Sequence, residues 1–378
     1  MKRALLALVL LWLCGCGVVG GGVDVTVTNP TSYEREHESV EIEWAELAGR
    51  GITADRVIVE DEQRNQIPSQ VIFDKKGVAQ KLLFQASVGA SAQSHYKIRR
   101  RRADSYESKV YGRYVPERMD DYAWENNLTA YRIYGPRLSD LKTQGVDVWV
   151  KNTQKLIINE WFARNDYHHN YGEGMDCYKV GNTLGGGALA VVQDSQLLLS
   201  GNYLSQECVA NGPLRTEAEF VYAPVKVGNH NVEIKRRIWL DANSRFSFQE
   251  YELSGFDGDI EVAAGMVMHD VRDITQNENW IALTEPASDS RDAERDGDIL
   301  LGVILQGGEK QSRFQTLTSP NQQVQHALIL RKAKAGEKIL MLNGSAWSHA
   351  GVEGGAAWAK EVQQAADRLN NPLLVKIK

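Results

Sequence analysis

Apolar and polar residues alternate with a period of two along most of this chain. The stretches VDVTVTN (23–29), RVIVED (56–61), SQVIFD (69–74) and KLLFQASV (81–88) set Val, Ile, Leu and Phe among polar partners and are separated by polar turns. The pattern resumes in TAYRIYG (129–135), VDVWVK (146–151), EAEFVYAPV (217–225) and NVEIKRRIWLD (231–241). It continues through RFSFQEYELSG (245–255), DIEVAAGMVMHD (259–270), DILLGVILQ (298–306) and HALILRKA (326–333). Successive side chains leave a strand on opposite sides, so this pattern predicts strands with one buried face. Their β-branched and aromatic residues suit a pleated surface.

A helical period stands out late, in GGAAWAKEVQQAADRLNNP, where Trp358, Val362, Ala365 and Leu369 fall on one stripe before an Asn-Asn-Pro stop. LLVKIK predicts a last strand after it. So many strands exceed what one open sheet holds. The expected fold is mainly β, a large antiparallel supersandwich of stacked sheets with few helices and a C-terminal helix.

The pattern weakens around residues 97–115, where KIRRRRADSYESKV is charged and only loosely periodic. This divides an N-terminal β module (23–104) from a main domain (105–378). The basic run Arg99–Arg102 fits a solvated strand end or linker, and it also offers guanidinium groups to carboxylates.

The first residues follow a different logic. MKRALLALVLLWLCGCG has a basic start, a short apolar run and then Leu13-Cys14-Gly15-Cys16, similar to a bacterial lipobox. Ten apolar residues are too few to span a bilayer as a helix. The expectation is a signal peptide over 1–15, acylation of Cys16, a glycine-rich tether over 16–22, and a protein exported to the periplasm or cell surface. Contact with the membrane is then through the lipid anchor only.

In an oxidising compartment Cys177 and Cys208 are permitted to pair, and two separate thiols fit equally well. The formal charge of −6 becomes about −8 without Lys2 and Arg3. Mild acidity gives no reason to expect a nucleic-acid partner.

Three segments carry more chemistry than a sandwich needs. RYVPERMDDYAWENNLTAYRIYG (113–135) offers Arg118, Asp121, Trp124, Glu125 and Asn126, then a strand with Arg132 and Tyr134 on one side and Tyr131 and Ile133 on the other. Carboxylates and amides bind paired hydroxyls, aromatic rings pack on sugar C–H faces, and arginine holds acidic groups. In GVDVWVK, Asp147 and Trp149 share a face.

The third segment, DYHHNYGEGMDCYKVG (166–181), brings together two histidines, three tyrosines and three acids. Histidine side chains exchange protons near neutral pH. His168, Glu173 and Asp176 would also form part of a metal set with a distant His269, but their spacing matches no strong metal motif and no cofactor is expected. Trp239, Trp347 and Trp358 sit in periodic apolar contexts that suit a core, and Arg215 stands where it would reach a cleft.

YVPERMDDYAWENN, YRIYGP, GVDVWVK, DYHHNYGEGMDCYKVGNTLGGG and the late LNGSAWSHAG, followed by a Trp-containing helix, resemble the bacterial family catalogued as domain of unknown function 4861. The resemblance covers almost everything after the leader. It implies a galactose-mutarotase-like β-supersandwich and a setting in polysaccharide degradation, especially of uronic-acid-containing glycans. For ulvan-degrading relatives it implies oligosaccharide dehydratase activity on unsaturated uronyl ends. It assigns no catalytic residues.

From chemistry alone, elimination from an acidic oligosaccharide needs a carboxylate clamp (Arg118 or Arg132), a base (His168), an acid (Tyr171 or Tyr178) and an orienting group (Glu173). Asp121, Trp124, Glu125 and Asn126 would then position the sugar, with Tyr134, Asp147 and Trp149 lining the same cleft. Hydrolysis or epimerisation of similar glycans, and glycan binding without chemistry, remain the alternatives.

Overall fold

Each alternating stretch contains a strand, and every strand pairing within the sheets is antiparallel. The computed structural model describes residues 22–307, 313–318 and 324–378. The leader, the tether up to residue 21 and the lipidation site Cys16 lie outside the described residues. Three α-helices, Trp44–Ala48, Ile158–Arg164 and Gly354–Asn370, occur among the described residues. None is long and apolar enough to cross a membrane.

The N-terminal strands form two sheets over one core. Val23–Thr28 and Gln93–Arg99 pair in one sheet; Arg35–Glu43, Ala79–Val88 and Ser69–Phe73 form the other. Val25, Val27, Val40, Ile42, Leu82 and Phe84 fill the space between them. The last strand, Leu374–Ile377, pairs with Val23–Thr28, so the C-terminus returns to this module. Arg99 ends a strand with its Nε 2.6 Å from the Glu60 carboxylate.

The rest of the chain builds two five-stranded sheets and one nine-stranded sheet around a shared core. The nine-stranded sheet carries the long strands His230–Asp241, Phe246–Ser254 and Lys338–Trp347. Helix Gly354–Asn370 packs Trp358, Val362 and Ala365 against Leu300, Ile304 and Leu342 of that sheet. Trp347 and Trp358 are buried, as their periodic contexts imply, while Trp239 is only half-buried.

The cysteine pairing is corrected by this arrangement. Both thiols are free, Cys177 buried and Cys208 exposed on the strand Tyr203–Asn211. Cys177 belongs to the main core, out of reach of a surface partner.

Candidate functional site

One five-stranded sheet places most of the chemistry. Its order runs Gly174–Asp176, Asp147–Lys151, Thr129–Ile133, Asp121–Asn126, Val110–Val115. Arg132 lies opposite Asp147, and Trp149 opposite Asp176, in the strand register. Strand alternation then separates two sets of side chains. Tyr122, Trp124, Tyr131, Ile133 and Val148 enter the main core. Ala123, Ala130 and Trp149 face the other way, beneath Ile158, Trp161 and Tyr167, and Asp121, Arg132, Asp147 and Asp176 share that side.

Two glycines permit the local geometry. A Cβ at Gly135 would lie 2.1 Å from the Asp120 carbonyl carbon, and the Gly135 N–H donates to Asp121 Oδ1 at 2.8 Å. Gly174 has φ +120° and lies against the Val150 carbonyl, a conformation and a clearance closed to other residues.

Arg132 is the centre of this face and is buried. Its Nε donates to Asp147 Oδ2 at 2.8 Å, its Nη2 donates to Asp176 Oδ2 at 3.0 Å, and its Nη1 stands 3.8 Å from Asp121 Oδ2. Nη1 and Nη2 also donate to Tyr167 OH and Tyr134 OH, each at 3.3 Å. The Trp149 indole N–H donates to Asp147 Oδ2 at 3.0 Å. One guanidinium therefore holds three buried aspartates. Burial, with Arg132 pulling the other way, raises the Asp121 carboxyl to about 6. Burial and the neighbouring Asp147 charge push Asp176 well above the usual carboxylate range.

Above the buried layer lies a polar rim built on Tyr167. The Tyr167 ring stacks on Trp149 at 5.1 Å. The His168 ring lies 5.1 Å from Tyr167 and the Arg118 guanidinium 5.6 Å from it. His168 Nδ1 lies 3.1 Å from the Asp176 backbone carbonyl. A carbonyl only accepts, so this bond puts the neutral ring's proton on Nδ1 and leaves Nε2 as the basic nitrogen. Nε2 is 3.8 Å from Asp176 Oδ2. Arg118 is exposed and makes no ion pair among the described residues. Tyr134 is half-buried beside Arg132.

A family model, "Domain of unknown function (DUF4861)", matches residues 27–375. The chain belongs to this family. It is 29% identical over 381 residues to "Uncharacterized protein P7" of Formosa agariphila, covering 93% of each chain. Two solved structures share its fold. An alpha-mannosidase from Enterococcus faecalis V583 matches with a TM-score of 0.54 at 9% identity over 94% of this chain, and a glycosyl hydrolase family 38 protein from Enterococcus faecalis with 0.54 at 10% over 94%. The chain spans 46% and 47% of those two structures, a little under half of each.

In this DUF4861 member several residues singled out in the sequence serve other ends. Trp124 is on the core face, with its indole N–H donating to Ser247 Oγ at 3.0 Å. Asn126 shares that side and donates to the carbonyls of Asp241 and Ser244, each at 2.6 Å. Neither reaches a sugar beside Asp121, because a period of two sends them the opposite way. Glu125 is on the aspartates' side but fully buried. It takes Lys151 Nζ and the backbone N–H groups of Ile157 and Ile158, each at 2.8 Å, and so anchors the start of helix Ile158–Arg164.

Glu173 pairs with Lys155 at 2.5 Å rather than orienting His168, a task that falls to Asp176. Tyr171 is exposed and donates to Asp166 at 2.9 Å. Tyr178 is buried and donates to the Gly185 and Val267 carbonyls, so burial pushes its phenol up and its proton is committed. Arg132 is already saturated by carboxylates and offers no free fork to a substrate acid. Arg118 does.

The pattern did not single out Glu285. This buried carboxylate accepts from His269 Nδ1 at 2.8 Å and from the His269 backbone N–H at 3.1 Å. The His269 ring meets Tyr178 edge-on at 5.2 Å. Glu285 lies within the strand Trp280–Pro286 with no local motif, and only the tertiary fold brings it to His269. Among the described residues no three His, Cys, Asp or Glu side chains form a metal-ligand group. Of the suggested set, Glu173 goes to Lys155 and His269 to Glu285.

The buried Asp121 makes a testable pH signature. A carboxyl raised from 3.8 to about 6 favours the native state most below pH 4, and that contribution is lost as pH rises through 6. The loss amounts to about 3 kcal/mol. Asp121→Asn keeps the carbonyl that accepts from Gly135 and removes the titration. Urea unfolding at pH 4.5 and 7.5 is expected to show the variant gaining stability relative to the parent at the higher pH. An unchanged difference would place Asp121 in water.

Proposed function

We propose that this protein is an exported, carbohydrate-active lipoprotein that eliminates water or a sugar from uronic-acid-containing oligosaccharides. The observation that carries this reading is the rim. A histidine with Nε2 as its basic nitrogen and an arginine without an ion pair among the described residues pack on one tyrosine, above the buried Arg132–aspartate cluster. A carbon acid activated by a carboxylate, directly or through a conjugated double bond, needs that combination. The likeness in fold to chains named as an alpha-mannosidase and a glycosyl hydrolase supports carbohydrate as the substrate class, though fold alone assigns no reaction.

In this mechanism Arg118 binds the substrate carboxylate and holds the charge that builds on it. His168 Nε2 takes the proton from carbon, and the C–H electron pair becomes the new C=C bond. The C–O bond to the leaving group breaks, and the departing oxygen takes the phenolic proton of Tyr134. Arg132, 3.3 Å from that phenol, stabilises the phenolate left behind. The imidazolium keeps its Nδ1–H on the Asp176 backbone carbonyl. Proton transfer from the imidazolium to the phenolate through water resets the site.

Hydrolysis by a carboxylate pair receives less support. It needs two carboxyl groups across a sugar, about 5 Å or 6.5–9.5 Å apart. Asp147 and Asp176 are both buried against the same Arg132 nitrogen, with no space between them for a ring. Mass spectrometry of acidic oligosaccharides incubated with the protein tests the reaction. The expected product has lost water, or is a chain cut with a new double bond that absorbs in the ultraviolet. Products that gain water at a cleaved bond would replace elimination with hydrolysis.

A further inference from the structure

A cleft of about 760 Å³ lies between the strand Arg35–Glu43 of the N-terminal module and helix Gly354–Asn370. None of Arg118, Arg132, Tyr134 or His168 lines it. Its volume is in the range of small-ligand sites, about 300–1,000 Å³, which favour boundaries between structural units. On its floor Trp239 and Phe248 are cross-strand partners, with rings 4.9 Å apart and 8° from parallel. Both are half-buried: Phe248 packs on the cluster that holds the helix, and the Arg215 and Arg237 guanidinium groups stand 5.6 and 5.0 Å from the Trp239 ring centre.

The charge around these rings selects against an acid. Five carboxylates line the cleft against three guanidinium groups, and each guanidinium already faces a carboxylate. Arg215 donates to both oxygens of Asp241, at 2.6 and 2.8 Å, and to Glu41 at 2.6 Å. Arg245 faces Glu361 at 3.5 Å, and Arg368 faces Glu38 at 4.0 Å. Neutral hydrogen-bonding groups remain. The Ser39 hydroxyl is buried with no partner, and the half-buried Gln364 lines the cleft from the helix.

An apolar strip flanked by amides, a hydroxyl and carboxylates, with no free cation, matches the amphipathic faces of an uncharged pyranose. We infer that this cleft is a second carbohydrate site, one that takes neutral sugar units of a glycan chain. The inference stands independently of the reaction proposed for the histidine rim.

Isothermal titration of the mature full chain with cellotetraose, mannotetraose and xylotetraose tests it. At least one is expected to bind. Trp239→Ala and Gln364→Ala are each expected to weaken that binding, by about tenfold for the tryptophan. His168→Ala is expected to bind normally, which separates this site from the rim. Gln364→Ala removes a half-buried surface amide and decides the matter if Trp239→Ala fails to fold. No heat with any of the three at 10 mM concentrations (about the weakest affinity titration reads) overturns the inference. So does binding that survives both substitutions, or equal competition by an oligouronate.

Discussion

Replacing His168 with alanine is expected to lower kcat on an acidic oligosaccharide by about 10²–10⁴, the range that general base catalysis supplies. The expectation follows from how the ring is held. Its Nδ1 is fixed on the Asp176 carbonyl at 3.1 Å, so the neutral ring keeps Nε2 as its basic nitrogen, on a ring that packs against the same Tyr167 as Arg118. The side chain is 42% exposed, so its loss opens no core cavity and the urea midpoint is expected to stay within about 0.5 kcal/mol of the parent. A steady KM with a collapsed kcat would mark a role in the chemical step rather than in binding. If His168→Ala keeps full turnover while His269→Ala abolishes it, the base is the imidazole held by Glu285.

The sheets were legible because a buried face imposes a period of two, and the stretches that follow it each contain a strand. The late helix was legible for the same reason at its own period, with Trp358 and Val362 landing on the nine-stranded sheet. Alternation also placed Arg132 and Tyr134 on one side, and Asp147 beside Trp149, as the register has them. The same rule was available for residues 121–126 and would have removed Trp124 and Asn126 from the site. Composition grouped these neighbours because it ignores which way each one points.

Partnership was not legible. Nothing near Glu173 in sequence announces Lys155 as its partner, and nothing near Arg132 announces that Asp176 will reach it from 44 residues away. Such pairs are set by strand register and by chain reversal, neither of which is written locally. Glu125 illustrates the consequence. Its carboxylate has the chemistry of a sugar ligand, yet burial against Lys151 and two backbone N–H groups makes it part of the scaffold that holds the helix over the aspartates.

Arg132→Met is expected to destabilise the protein by about 3–5 kcal/mol at pH 7.5, the cost of stripping the cation from a buried charge cluster. Methionine matches the arginine stem in length and flexibility, so packing changes little and electrostatics dominates. Without the guanidinium, Asp147 and Asp121 lie beside Asp176 at low exposure with no counter-charge. Protonation relieves the repulsion, so the deficit is expected to shrink steadily as pH falls toward 4.5. Urea midpoints across that range read the effect directly. Adding Asp147→Asn to Arg132→Met removes one of the stranded charges, and the double variant is expected to recover part of the loss, with a coupling of about 0.5–3 kcal/mol. Equal stability of Arg132→Met and the parent at pH 7.5 would mean that water already screens the three aspartates. In that case Arg132 would be free to bind substrate, and Arg118 would no longer be the sole anchor for an acidic sugar.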